Sequence, residues 1–179
     1  MRARNQAPSS FTLVELMVVV AVIGVLAGLV LGGAGAVRTR AARGQAQAEV
    51  SAIEAGLARY QMDFGEYPVA TGAGSGTNYS PNPLNYTNDG RVLFASLWGA
   101  ATYATATSAR KQYLSVKPSM VMTSGVTNYF IDPWGYAYGY SWSGNRSFRG
   151  GAVPDVWSTG GQSGVGNQTN RSKWITSWN

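Results

Sequence analysis

The chain has 179 residues, enough for one folded domain with its own core, with or without a long helix attached. It holds no cysteine and no histidine, which excludes disulfide bracing and thiol chemistry and removes the commonest general base and transition-metal ligand. Lys and Arg outnumber Asp and Glu by 14 to 8, yet the basic residues are scattered or gathered at Arg38, Arg40 and Arg43 beside an apolar run, the pattern of a membrane flank rather than of a nucleic-acid surface.

Residues 1 to 10 are a short segment carrying Arg2 and Arg4, and an apolar stretch follows. From 16 to 37 no residue is charged; these 22 residues, at ~1.5 Å each in a helix, reach about 33 Å, close to the ~30 Å hydrocarbon core of a bilayer. A buried helix of a soluble protein rarely runs that far without charge, and a secretory signal peptide would stop sooner at a small-residue cleavage site. Glu15 sits inside the apolar stretch, where an acidic side chain costs roughly a few kcal/mol and so calls for a partner and a role. Gly24, Gly28, Gly32 and Ala36 form a stripe of small residues, which either lets helices approach closely or is ordinary membrane-helix composition.

The run Ser10-Phe11-Thr12-Leu13-Val14-Glu15-Leu16 resembles the prepilin cleavage motif of type IV pilins and type II secretion pseudopilins. The resemblance implies that residues 1–10 are a basic leader removed on the cytoplasmic side by prepilin peptidase, which cuts between Ser10 and Phe11. It also implies methylation of the new amine on Phe11. The family usually has Gly where Ser10 stands. Residues 11–37 would then be a transmembrane helix before assembly and a filament-core helix after it. Glu15, the fifth mature residue, would neutralise the Phe11 amine of a neighbouring subunit, a pairing that selects one register in a low-dielectric core. Arginines lie on both sides of the span, so the orientation rests on the resemblance: single-pass in the inner membrane, head in the periplasm, later a periplasmic or surface filament.

Ala46, Val50, Ile53, Leu57, Tyr60 and Phe64 recur at helical spacing, so residues 38–65 read as an amphipathic helix, continuous with the apolar one or separate after a kink at Gly32-Gly33-Ala34-Gly35. Gly65 and Pro68 predict its end. The exit Tyr60-Gln61-Met62-Asp63-Phe64-Gly65-Glu66-Tyr67-Pro68 resembles the Y-x-x-D-x-G-x-Y-P junction of major pseudopilins; Asp63 and Glu66 read as polar groups at a helix exit. Residues 70 to 90 read as an exposed loop without phosphate-binding character, 91 to 98 as a short helix, and 99 to 109 as a connection. Extended segments are predicted at Tyr113-Leu114, at 120 to 122 and at 128 to 131. Asp132-Pro133-Trp134-Gly135 has the chemistry of a turn. Tyr136, Tyr138, Tyr140 and Trp142 then alternate as a strand with one aromatic face, and Pro154-Asp155-Val156-Trp157-Ser158 gives another strand.

The D-P-W-G turn, the D-V-W-S strand and the closing Ile175-Thr176-Ser177-Trp178 resemble the major pseudopilin head. The fold class expected is therefore α+β, a long N-terminal helix packed on a small antiparallel β-sheet head formed by residues 66–179. In that family the loop after D-V-W-S often binds calcium, which makes Asp155 a candidate metal ligand. Calcium takes about six to eight oxygens, carboxylates usually among them, whereas residues 158 to 179 contain no Asp or Glu. A hydrogen-bonded loop needing no metal is the alternative, and no other cofactor is expected.

The resemblance implies a structural filament subunit of type II secretion. Its partners would be further copies of itself in a helical homopolymer, the prepilin peptidase, an inner-membrane assembly platform, minor pseudopilins and membrane lipid. No nucleic acid is expected. The alternative is a minor tip subunit or a membrane-tethered adhesin whose aromatic residues form a ligand face. Catalysis finds no support in the side chains present, so no enzyme is predicted.

Overall fold

The structure, a computed structural model, describes residues 11–70, 82–102, 111–142, 153–162 and 170–178, without the side chains of 30–34. Residues 1–10, predicted above as a leader, and parts of the predicted connections lie outside these residues. The chain divides into two compact units, Met1–Arg40 and Ala41–Asn179, and the first helix, α1 (Leu13–Phe64), contributes to both. Its helical assignment runs unbroken through 32–35.

In the first unit every described side chain from 11 to 29 and from 35 to 40 is exposed, so the apolar helix has no covered face within its own unit. Among the described residues no helix is long and apolar enough to cross a membrane. The uncharged run 16–37 includes 30–34, so the case for a span is carried by the sequence.

In the second unit, Ala46, Val50, Ile53 and Leu57 of α1 are buried, as the periodicity predicts. Phe64 departs from it: the ring is 59% exposed, edge-on to Tyr113 and tilted on Tyr60, because the helix ends there. Gly65, at φ 78°, donates its N–H back to Gln61 O at 2.7 Å and stops the helix in the left-handed conformation that glycine adopts without strain.

Residues 83–90 are helical rather than loop. A 3-10 turn (Pro83–Tyr86) leads directly into α2 (Thr87–Trp98), which starts four residues before the predicted Arg91. Asn82 caps the turn through Leu84 N at 3.0 Å and Pro83 supplies the fixed φ, so Asn-Pro here starts helical structure instead of a turn. Pro83, Tyr86, Asp89 and Gly90 are buried.

The sheets are antiparallel. β1 (Val121–Ser124) and β2 (Thr127–Phe130) form a hairpin, and α2 packs on β2 and on β3 (Gly139–Ser141). A second sheet has the order β3, β4 (Asp155–Ser158), β5 (Ile175–Thr176). The predicted strand from Tyr136 to Trp142 is shortened to three residues, because Ala137 instead bridges Ile131 across the D-P-W-G turn.

Trp157 of the central strand is fully buried. It meets Tyr86 and Trp178 edge-on, at 5.4 and 6.0 Å between ring centroids, and stacks on Trp174 at 6.4 Å. Gly139 stands opposite it in register, and any Cβ there would enter the indole ring.

Candidate functional site

Two places hold the residues singled out above, one in each unit. At the start of α1, Glu15 Oε2 accepts from Thr12 N at 3.0 Å and from Thr12 Oγ1 at 2.9 Å, while Glu15 N donates to Thr12 Oγ1 at 3.3 Å. This is a capping box: Thr12 caps the helix and Glu15, three residues on, closes it from the other side. The box satisfies amides that a helix start leaves unpaired and sets a carboxylate at the positive end of the helix dipole. Phe11 lies just outside the cap and is exposed. Ser10, the other predicted processing residue, lies outside the described residues. Among the described residues, a Cβ built on Gly24 or Gly28 meets nothing within 4 Å.

In the head, Asp132 ties the D-P-W-G turn to β4. Its Oδ1 accepts from Trp134 N at 3.0 Å and Tyr136 N at 2.9 Å, and its Oδ2 accepts from Ser158 Oγ at 2.6 Å. Burial raises its pKa above the ordinary carboxylate value, with Glu49 adding to the rise and the three hydrogen bonds opposing it. Replacing Asp132 by alanine orphans buried donors, for an expected loss of roughly 2–4 kcal/mol. Asparagine retains the two backbone contacts and removes the ionisable group. A folded pKa above the unfolded one means that this group's stabilising contribution is complete below the unfolded pKa and is lost as pH rises through the folded pKa. Wild type therefore loses ground against Asp132→Asn from acid to neutral pH, which thermal melts across pH will measure.

Asp155 is only 1% exposed and sits at the far end of β4, three residues or roughly 10 Å before Ser158. Among the described residues no three acidic, histidine or cysteine side chains come together as a metal-holding group. The residues present fit calcium poorly at the loop after β4: residues 158 to 179 hold no carboxylate, Asp155 is at the other end of the strand, and Asp132, which reaches the loop through Ser158 Oγ, already accepts three hydrogen bonds.

Of the alternating tyrosines, Tyr138 and Tyr140 are core rather than a ligand face, and Tyr136 is half-buried. Tyr138 donates to Glu49 Oε2 at 2.6 Å and Tyr140 to Pro68 O at 2.8 Å, both rings being fully buried; burial first, then the Glu49 carboxylate, holds the Tyr138 phenol protonated far above neutrality. Trp142 alone of the series is exposed. At the helix exit, Asp63 accepts from Lys111 Nζ at 2.6 Å and Tyr113 Oη at 2.7 Å. These bonds lower the Asp63 pKa and push the Tyr113 phenol up to about 12.

Sequence reasoning missed the Thr12–Glu15 box, although T-x-x-E is its signature, and missed the role of Asp132, whose position at the head of a Pro-Gly turn pointed to it.

The family model described as "Prokaryotic N-terminal methylation motif" matches residues 8–31. The chain is similar to the type II secretion system core protein G of Dickeya chrysanthemi, at 37% identity over 97 residues, which cover 50% of this chain and 63% of that protein. The protein of the same name from Pectobacterium carotovorum subsp. carotovorum is 35% identical over 50% of this chain and 61% of its own length. That of Escherichia coli (strain K12) is 34% identical over 55% of this chain and 72% of its own length. No solved structure matches the chain.

Proposed function

This chain belongs to the family of the type II secretion system core protein G, and from that membership we propose that it is a structural, non-enzymatic subunit of a secretion pseudopilus. The single observation that best supports the reading is the Thr12–Glu15 box at the base of an apolar helix with no covered face. An acid placed there is an unusual expense for a simple anchor. In the proposed assembly the subunit is held in the inner membrane with its head in the periplasm, is cut after Ser10 by prepilin peptidase, and carries a methylated Phe11 amine. Its helices then leave the bilayer and pack at the filament centre, where the open faces at Gly24 and Gly28 allow close approach. Copies of itself, minor pseudopilins, the membrane assembly platform and membrane lipid are the partners.

Mass spectrometry of the protein isolated from membranes tests the processing step. The expected product begins at methylated Phe11; an intact Met1, or a cut elsewhere, overturns it. Thr12→Ala provides a further check. Losing the cap costs the isolated helix about 1 kcal/mol and frays its first turn, so assembly is expected to weaken without being abolished. Quantifying sheared filaments against total subunit measures the effect.

A further inference from the structure

We propose that the loop following β4 is closed by the carboxamide of Gln162, an internal staple standing where the resemblance implies a calcium ion. Gln162 Nε2 donates to Thr159 O at 2.9 Å and to Asn170 O at 3.1 Å, while its Oε1 accepts from Asn170 N at 2.8 Å. One planar amide thereby joins the two limbs of the loop through both of its ends. Around it, Thr159 Oγ1 donates to Gln162 O at 2.9 Å, Ser158 Oγ accepts from Gly160 N at 3.0 Å, and Asn170 Oδ1 accepts from Ser172 N at 3.1 Å.

Among the described residues of the loop, four carbonyls already accept from nitrogen or hydroxyl donors. Thr159 O and Asn170 O take the Gln162 amide, Gln162 O takes Thr159, and Lys173 O takes Arg43 Nη1 at 3.0 Å. Space is limited as well. Trp134 of the D-P-W-G turn lies over Gly161, where a Cβ would come within 2.7 Å of Cδ1. Residues 158 to 179 provide no carboxylate to offset a dication; the Arg43 guanidinium is held against Lys173 O, and the Asp132 carboxylate that meets Ser158 Oγ is already taken up by Trp134 N and Tyr136 N. An amide with two donors and one acceptor meets the loop's carbonyls and N–H directly, without the charge neutralisation a metal requires.

This inference concerns the stability of the head and does not depend on the filament reading. The test uses the full chain purified from membranes in detergent, melted in excess EDTA and in millimolar calcium. The expected result is the same melting temperature in both, within about 1 °C. A calcium site occupied at a hundred times its dissociation constant would raise the midpoint by on the order of 5 °C or more, and such a rise overturns the proposal. Gln162→Ala removes three hydrogen bonds and is expected to lower the midpoint by roughly 5 °C, with no recovery on adding calcium. A variant that melts like wild type, or that calcium restores, also overturns it. Should Gln162→Ala fail to fold, the wild-type comparison decides alone.

Discussion

Replacing Glu15 by alanine is expected to leave the chain in the membrane and abolish filament assembly. Under the proposed function, each Glu15 offsets the Phe11 amine of a neighbour in a dry helical core, and removing one partner of such a pair costs roughly 3–5 kcal/mol. That corresponds to at least about a hundred-fold weaker subunit addition. The same carboxylate also caps its own helix, accepting from Thr12 N and Oγ1, so the alanine variant alone confounds two losses. Glu15→Gln separates them: glutamine can close a capping box as glutamate does but carries no charge. Membrane fractionation and filament yield are read for both. If Glu15→Gln assembles like wild type, the charge-pairing role is wrong and only the cap matters. If glutamine fails as alanine does, while Thr12→Ala still assembles, the charge is what the filament uses.

Trp157→Ala is expected to cause the largest loss of stability in the head, about 3–5 kcal/mol, a large share of the ~5–15 kcal/mol that holds a typical domain together. The indole fills the middle of the three-stranded sheet and touches Tyr86, Trp174 and Trp178, so its removal leaves a cavity that three rings from two distant segments cannot collapse into together. Gly139→Ala attacks the same place from the facing strand, pressing a methyl into the ring, and should cost about 1–3 kcal/mol. Thermal melts of both variants in detergent give the ranking. A Trp157→Ala midpoint within about 2 °C of wild type would show that the cluster is not the centre of the core.

The sequence carried the local features of the fold well. The stripe from Ala46 to Leu57 is buried as its spacing requires, Gly65 ends the helix, Asp132-Pro133-Trp134-Gly135 turns, and Asp155–Ser158 is a strand. Each of these is decided within a few residues. What sequence could not supply depends on distant partners. Ser158 Oγ reaches Asp132 across 26 positions, Tyr138 reaches Glu49 across 89, and the strand after the turn shortens because Ala137 is drawn to Ile131. The helical start at Pro83 was hidden because Asn-Pro serves turns and helix starts alike. At the start of α1, Glu15 stood out as a charge in apolar surroundings, and that contrast masked its simpler local bond to Thr12.

The completion of the sheet also constrains when the head can fold. β4 lies between β3 and β5, and the turn just before β5 is fastened to α1 by Arg43 and Lys173, 130 positions apart. Until residues 170–178 are in place, β4 has one unpaired edge and Trp157 lacks two of its aromatic neighbours. Contacts so distant in sequence form late. Under the proposed function the chain is therefore anchored by α1 and exported before the head closes, and translocation acts on an unfolded polymer rather than on a finished domain. Under the same reading, a subunit stalled partway presents the open edge of β4.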